Sequence, residues 1–140
     1  MIKLEFPYPP SANHSYSYIH GRPVLTQDAQ AYRHAVRKII ASQRLKPFMG
    51  PLAIRIDMFP PDQRRRDCDN VQKAVLDAMQ HGGMFWDDSQ VVWLLTIKLA
   101  SMPLGLIGVT LDDFTPDVLT NHLEGMSVII ETTTQEVAGS

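Results

Sequence analysis

The stretch from residue 52 to residue 100 constrains the fold more than any other part of the chain. Leu52, Ile54, Ile56 and Met58 alternate with Ala53, Arg55 and Asp57, which is the period of a strand, and Pro60-Pro61 ends it. After the loop DQRRRD, residues 70–81 carry Val71, Ala74, Val75, Ala78 and Met79 at helical spacing. Asp69 or Asn70 caps that helix and Gly82-Gly83 stops it. The loop MFWDD leads into QVVWLLTIKLA, a continuously apolar, β-branched run that reads as a buried strand. Strands before and after a crossover helix commonly lie near each other, so the loops at the two ends of this helix are candidates to meet.

The remainder is shorter and more local. Residues 1–6 alternate and stop at Pro7, which predicts a short strand. YPPSANHSY has loop chemistry, and residues 16–19 and 22–25 flank His20-Gly21 as a hairpin. Thr26 caps a helix expected from 27 to about 45, with Ala29, Tyr32, Val36, Ile39 and Ile40 on one face. Its other face carries Arg33, Arg37, Lys38 and Arg44, either a solvated surface or one turned toward an anion. Residues 117–123 suggest a short helix, 126–133 a last strand, and 134–140 a frayed tail. With 140 residues, no repeat and no linker, the expectation is a single domain over 1–140. Its class is α+β, a small mixed sheet flanked by two main helices.

The net charge of −2 hides an asymmetry. Residues 1–76 hold 12 of the 13 lysines and arginines and 6 of the 15 acids, a balance of +6. Residues 77–140 hold Lys98 alone against 9 acids, a balance of −8. Such a split between halves hints at an anionic partner. The single cysteine, Cys68, excludes an internal disulfide and points to a reducing, intracellular compartment. No run approaches 18 apolar residues and MIKLEFPYPP lacks a signal-peptide core, so a cytoplasmic protein with no membrane partner is expected.

The chemistry concentrates in two loops. In Arg64-Arg65-Arg66-Asp67-Cys68-Asp69-Asn70, three adjacent arginines repel one another unless solvated or opposed by anions, and their planar forks match phosphate oxygens. Asp67 and Asp69 follow at i, i+2, which in extended backbone points both carboxylates to one side. Oxygen-only ligands so arranged suit a hard cation, Mg²⁺ or Mn²⁺. Lys73 lies four residues after Asp69, either an ordinary helical ion pair or a cation for a phosphate or leaving group. Asp87 and Asp88, in Trp86-Asp87-Asp88-Ser89, complete a three- or four-carboxylate cluster if the loops come together. Carboxylate-held metals with flanking cations point to phosphodiester hydrolysis. Dispersed histidines, one cysteine and no Walker or G-x-S-x-G motif leave zinc, a nucleotide cofactor and serine hydrolysis without support. Phe85, Trp86 and Trp93 read as core, with stacking on exposed bases the other reading for the first two.

The segments PYPPSANHSY, RRRDCDNVQKAVLDAM and FWDDSQVV, in that order, resemble the RusA family of Holliday-junction resolvases over residues 2 to about 100. The resemblance implies a homodimeric, Mg²⁺- or Mn²⁺-dependent endonuclease that cuts four-way DNA by paired symmetric nicks, encoded by a bacterium or phage and acting at the nucleoid. It implies metal-binding acids at Asp67, Asp69 and Asp88, with Asp87 adjacent, a catalytic lysine at Lys73 and a basic residue at Arg66. Asn13 gains interest as a phosphate contact only through this match. DNA contacts are then expected from Arg64, Arg65, Arg66, Asn13, Arg33, Arg37 and Lys38. Residues 103–125 read as a family-atypical, acidic insertion, and Cys68 as packing rather than a nucleophile. Two other readings stay open, a branched-DNA-binding protein or flap and fork nuclease of the same fold, and a phosphohydrolase of small nucleotides. The basic surface argues against the last.

Overall fold

The computed structural model describes residues 1–11 and 16–115. A four-stranded mixed sheet is built from β1 (Ile2–Phe6), β4 (Leu52–Phe59), β5 (Val91–Lys98) and β6 (Leu106–Asp113) in the order β1-β6-β4-β5. β4 and β5 run parallel, and β6 is antiparallel to both β1 and β4. A separate hairpin, β2 (Tyr16–Ile19) with β3 (Arg22–Leu25), turns at His20-Gly21, where both residues have positive φ. The helices are α1 (Gln27–Ser42) and α2 (Cys68–His81), and α2 is the crossover between the parallel strands. No described helix is long and apolar enough to cross a membrane.

The α+β class and the mixed sheet with two helices are as expected. Alternate residues of the strands explain the packing. Leu4 and Phe6 of β1, Ile54, Ile56 and Met58 of β4, and Ile107, Val109 and Leu111 of β6 share one core with Val36 and Ile40 of α1 and Val71 and Val75 of α2. Their neighbours in sequence, such as Lys3, Arg55 and Thr110, fall on the sheet's other face. α1 starts at its expected cap, where Thr26 Oγ1 accepts the Ala29 N–H at 3.3 Å, and it ends at Ser42 rather than about 45. The helices approach closely at Gly82, where a Cβ would stand 2.7 Å from Ile40 Cδ1, so no larger residue fits there without a shift.

Three expectations need correction. First, α2 begins at Cys68, two residues early, with Asp67 as its N-cap in extended conformation. Asp67 and Asp69 therefore straddle a strand-to-helix transition and do not share an extended segment. Second, β5 is not fully buried. It is the edge of the sheet, its residues are half-buried or exposed, and Trp93 is half-buried rather than core. Third, residues 106–113, inside the stretch taken as an insertion, form β6, which pairs with a strand on each side. An added element would sit outside the sheet, whereas this one holds its middle. The proposed helix at 117–123, strand at 126–133 and tail at 134–140 lie outside the described residues.

Candidate active site

The arginine loop is built by Asp62. Its Oδ1 accepts the Arg64 backbone N–H at 2.9 Å, which closes a tight Asx turn. Its carboxylate also accepts from Arg66 Nη2 at 3.1 and 3.2 Å and lies 3.9 Å from Arg64 Nε. The Arg64 N–H and the two guanidiniums hold the Asp62 carboxyl below its ordinary pKa. Arg66 is the least exposed of the three, with its side chain 22% accessible and its guanidinium 5.9 Å from the centre of the Tyr8 ring. Lys98 Nζ, the single lysine of the acidic half, donates to the Arg66 carbonyl at 3.2 Å. α2 is tied to the edge strand where Thr96 Oγ1 and the Gln72 side-chain oxygen lie 2.7 Å apart. These contacts fix where the loop meets the helix.

Arg64, Arg65, Arg66 and Asp67 line a cavity of about 700 Å³, with Tyr8, Pro10 and Tyr32 on its other walls. Phosphate groups fit such a surface through bidentate guanidinium contacts. Asp62 engages the guanidiniums of Arg64 and Arg66, with which a phosphate would have to compete. Asp62→Asn keeps the acceptor for the Arg64 N–H and removes the competing charge. The expected result is tighter DNA binding, with a log K versus log salt slope steeper by about 1–2, because each released phosphate contact counts about 0.9. An unchanged slope would mean that Arg64 and Arg66 do not meet DNA.

The first acids sit at the start of α2. Asp67 has N-cap backbone geometry yet makes no side-chain capping bond, so its carboxylate is not spent on the helix. Asp69 is exposed in the first turn, where its Oδ1 accepts the Asn70 N–H at 3.0 Å. Lys73, also exposed, follows one turn later on the same side.

The second acid loop is organised by Gln90, which the sequence reading missed. Gln90 Oε1 accepts the Trp86 and Asp87 N–H groups at 2.7 and 3.1 Å, and its amide donates to the Phe48 and Gly50 carbonyls. Asp87 caps the 3-10 turn Asp88–Gln90 and takes the Ser89 hydroxyl at 3.0 Å. D-D-S-Q read as a capping box would have found it. Bonds from Ser89 and then Asp88 hold the Asp87 carboxyl low, while the bond to Asp87, burial and the charges of Asp87 and Asp77 push Asp88 up. Adjacent like charges of this kind are the crowding that a cation relieves. Phe85 is core as expected, but Trp86 is 67% exposed, which corrects its reading as core, and Trp86 Nε1 lies 2.8 Å from Met49 Sδ.

The cluster itself is not assembled. Among the described residues, no three His, Cys, Asp or Glu side chains lie close enough together to hold one ion. The reason is geometric. Gln80 Nε2 donates to the Trp86 carbonyl at 3.2 Å and Asp77 is near enough for its charge to act on Asp88, so the second loop lies beside the C-terminal half of α2. Asp77 is eight residues beyond Asp69, about 12 Å along a helix axis. Asp69, Lys73 and Asp77 form an i, i+4, i+8 stripe, and Asp77 is an acid that this spacing alone could have flagged. The donor chemistry of Asp67, Asp69, Asp87 and Asp88 fits a hard cation, with Asp87 and Asp88 as one adjacent pair and the α2 acids standing apart from it. Of the other expected contacts, Arg33 is half-buried, Arg37 and Lys38 are exposed, and Asn13 lies outside the described residues.

A family model for the endodeoxyribonuclease RusA matches residues 7–110, which takes in both acid loops and most of β6. Curated relatives include the crossover junction endodeoxyribonuclease RusA of Shigella sonnei (strain Ss046) and that of Escherichia coli (strain K12), each 38% identical over 111 residues. The enzyme of the same name from Enterobacteria phage 82 is also 38% identical. Each of these alignments spans 79% of this chain and 92% of the relative.

Proposed function

This chain belongs to the RusA family of endodeoxyribonucleases, and from that premise we propose that it resolves four-way DNA junctions by paired, symmetric phosphodiester cuts. The observation that carries the reading is the 38% identity to crossover junction endodeoxyribonucleases over 79% of the chain, with the arginine loop and both acid loops inside residues 7–110 of the family-model match. The geometry supports it. Three guanidiniums line one open cavity beside the α2 N-terminus, a surface for a DNA backbone rather than for one small anion.

Arg64, Arg65 and Arg66 grip phosphates flanking the scissile bond and exchange Asp62 for DNA as they do so. Lys73 Nζ neutralises charge gathering on the departing oxygen. Asp67, Asp69 and Asp88, with Asp87 beside it, would supply the oxygen ligands of a divalent cation, Mg²⁺ or Mn²⁺, although the two acid loops stand apart in this structure. The chemistry such a cation would supply when bound is polarisation of the scissile phosphate and acidification of the attacking water. The protein acts as a homodimer, since two opposed strands of a two-fold junction need two related sites. Its place is the bacterial cytoplasm at the nucleoid, in keeping with bacterial and phage relatives.

The test compares a four-way junction, fork, flap and linear duplex of the same sequence with Mg²⁺ present. Cutting of the junction at paired positions, at least tenfold faster than the duplex, is expected. Equal cutting of junction and duplex overturns the resolvase reading, and faster cutting of the flap or fork replaces it with a branched-DNA nuclease.

A further inference from the structure

A second cavity, of about 200 Å³, opens beside the arginine-lined one, and the two share Pro10, Tyr32 and Asn70 on their border. It lies between the hairpin and both helices. Tyr16, Leu25, Tyr32 and Ala74 make its walls largely apolar, and Arg33, Asn70, Lys73 and Asp77 are its polar groups. It is smaller than the roughly 300–1,000 Å³ of ordinary small-molecule sites, which suits one planar heterocycle and not a base pair. Two of its lining residues are aromatic, Tyr16 exposed on the hairpin and Tyr32 buried on α1, and aromatic side chains are the groups on which unstacked bases pile. Asn70 adds a donor and an acceptor suited to a base edge. The Tyr32 hydroxyl is buried and has no hydrogen-bond partner among the described residues, so this wall keeps unused polar capacity.

We infer that this cavity receives one unstacked nucleobase from the crossover of the DNA junction, on the strand whose phosphates lie along Arg64–Arg66. The inference rests on the resolvase reading and deepens it. Continuity of the two cavities is the argument for this occupant. A strand laid in the arginine cavity has its phosphates beside the guanidiniums, and the next opening along the same border is largely apolar, holds two tyrosines and is edged by Lys73. A base at a crossover is already strained out of its stack, so extruding it costs less than from a continuous duplex. Seating that base also fixes the adjoining phosphodiester against Lys73, which couples base capture to cutting.

The experiment uses the full chain and four-way junctions in which each crossover nucleotide in turn is replaced by an abasic one. The readout is the ratio of single-turnover rates on intact and abasic junctions. For the wild type, one position should give a ratio of at least tenfold in favour of the intact junction. Ala74→Phe, which fills the cavity, should bring that ratio to within twofold of one. Tyr16→Ala, on the exposed hairpin and away from the core, should lower the same ratio at least threefold and guards against a folding defect in the first variant. The inference is overturned if the wild-type ratio is near one at every position, or if both variants keep the wild-type ratio. Failure of the resolvase reading looks different, since it shows as equal cutting of junction and linear duplex by the wild type.

Discussion

Asp69→Asn should bind a four-way junction as tightly as the wild type, or more tightly, and cut it about 10²–10³-fold more slowly, on the order of the loss when one charge-stabilising group leaves an active site. The two outcomes separate because the substitution is nearly isosteric. Asp69 is exposed in the first turn of α2, so no core packing changes. The amide oxygen of Asn can still accept the Asn70 N–H that Asp69 Oδ1 takes at 3.0 Å. What goes is one negative charge near the helix N-terminus, worth about 0.3–1 kcal/mol of helix stability. The same charge repels DNA phosphates, so its loss favours binding. On the proposed function, only the cation would lose a hard ligand. A gel shift in EDTA and single-turnover cutting in Mg²⁺ read the two effects on one preparation. Full activity of Asp69→Asn would remove α2 from the reacting centre and leave the site to Asp87 and Asp88.

Local pattern carried much of this structure and long-range packing the rest. The alternation of Leu52 to Met58, the Thr26 cap and the His20-Gly21 turn are each decided by neighbours in sequence, and the structure keeps them. The start of α2 is a contest among Asp67, Asp69 and Asn70, all good caps, and spacing alone cannot choose between them. Choosing Asp67 makes residues 68–69 helical, and the extended D-x-D geometry disappears. QVVWLLTIKLA reads as covered on both faces, but only one face meets α2 and the core while the other lies open at the sheet edge. Trp86 precedes a buried-looking run but is turned outward by the Gln90 contacts. Whether the acid loops join was never a local question. It depends on how far along α2 the returning chain lands, and it lands near Asp77.

Leu111→Ala should destabilise the protein by about 3 kcal/mol, within the ~2–5 kcal/mol range for truncating a buried leucine. The residue lies in the stretch that sequence alone assigns to an insertion, where truncation would cost almost nothing. Its alternation with neighbours was visible, since Ile107, Val109 and Leu111 interleave with Gly108, Thr110 and Asp112. Pro103, Gly105, Gly108 and the acids obscured it. In the fold, Leu111 is fully buried and stands opposite Ile2 of β1 and Ile54 of β4, so it joins the edge strand β1 to the rest of the core. Removing its side chain leaves a void between two strand partners that are held by their own ladders and cannot close on it. Leu104→Ala, 91% exposed in the same stretch, should stay within about 0.5 kcal/mol of the wild type. Urea unfolding of all three proteins at one fixed protein concentration makes the comparison fair if subunits associate. A Leu111→Ala loss below about 1 kcal/mol would place β6 outside the core, and with it the strand order that sets α2, the arginine loop and the acids in their present relation.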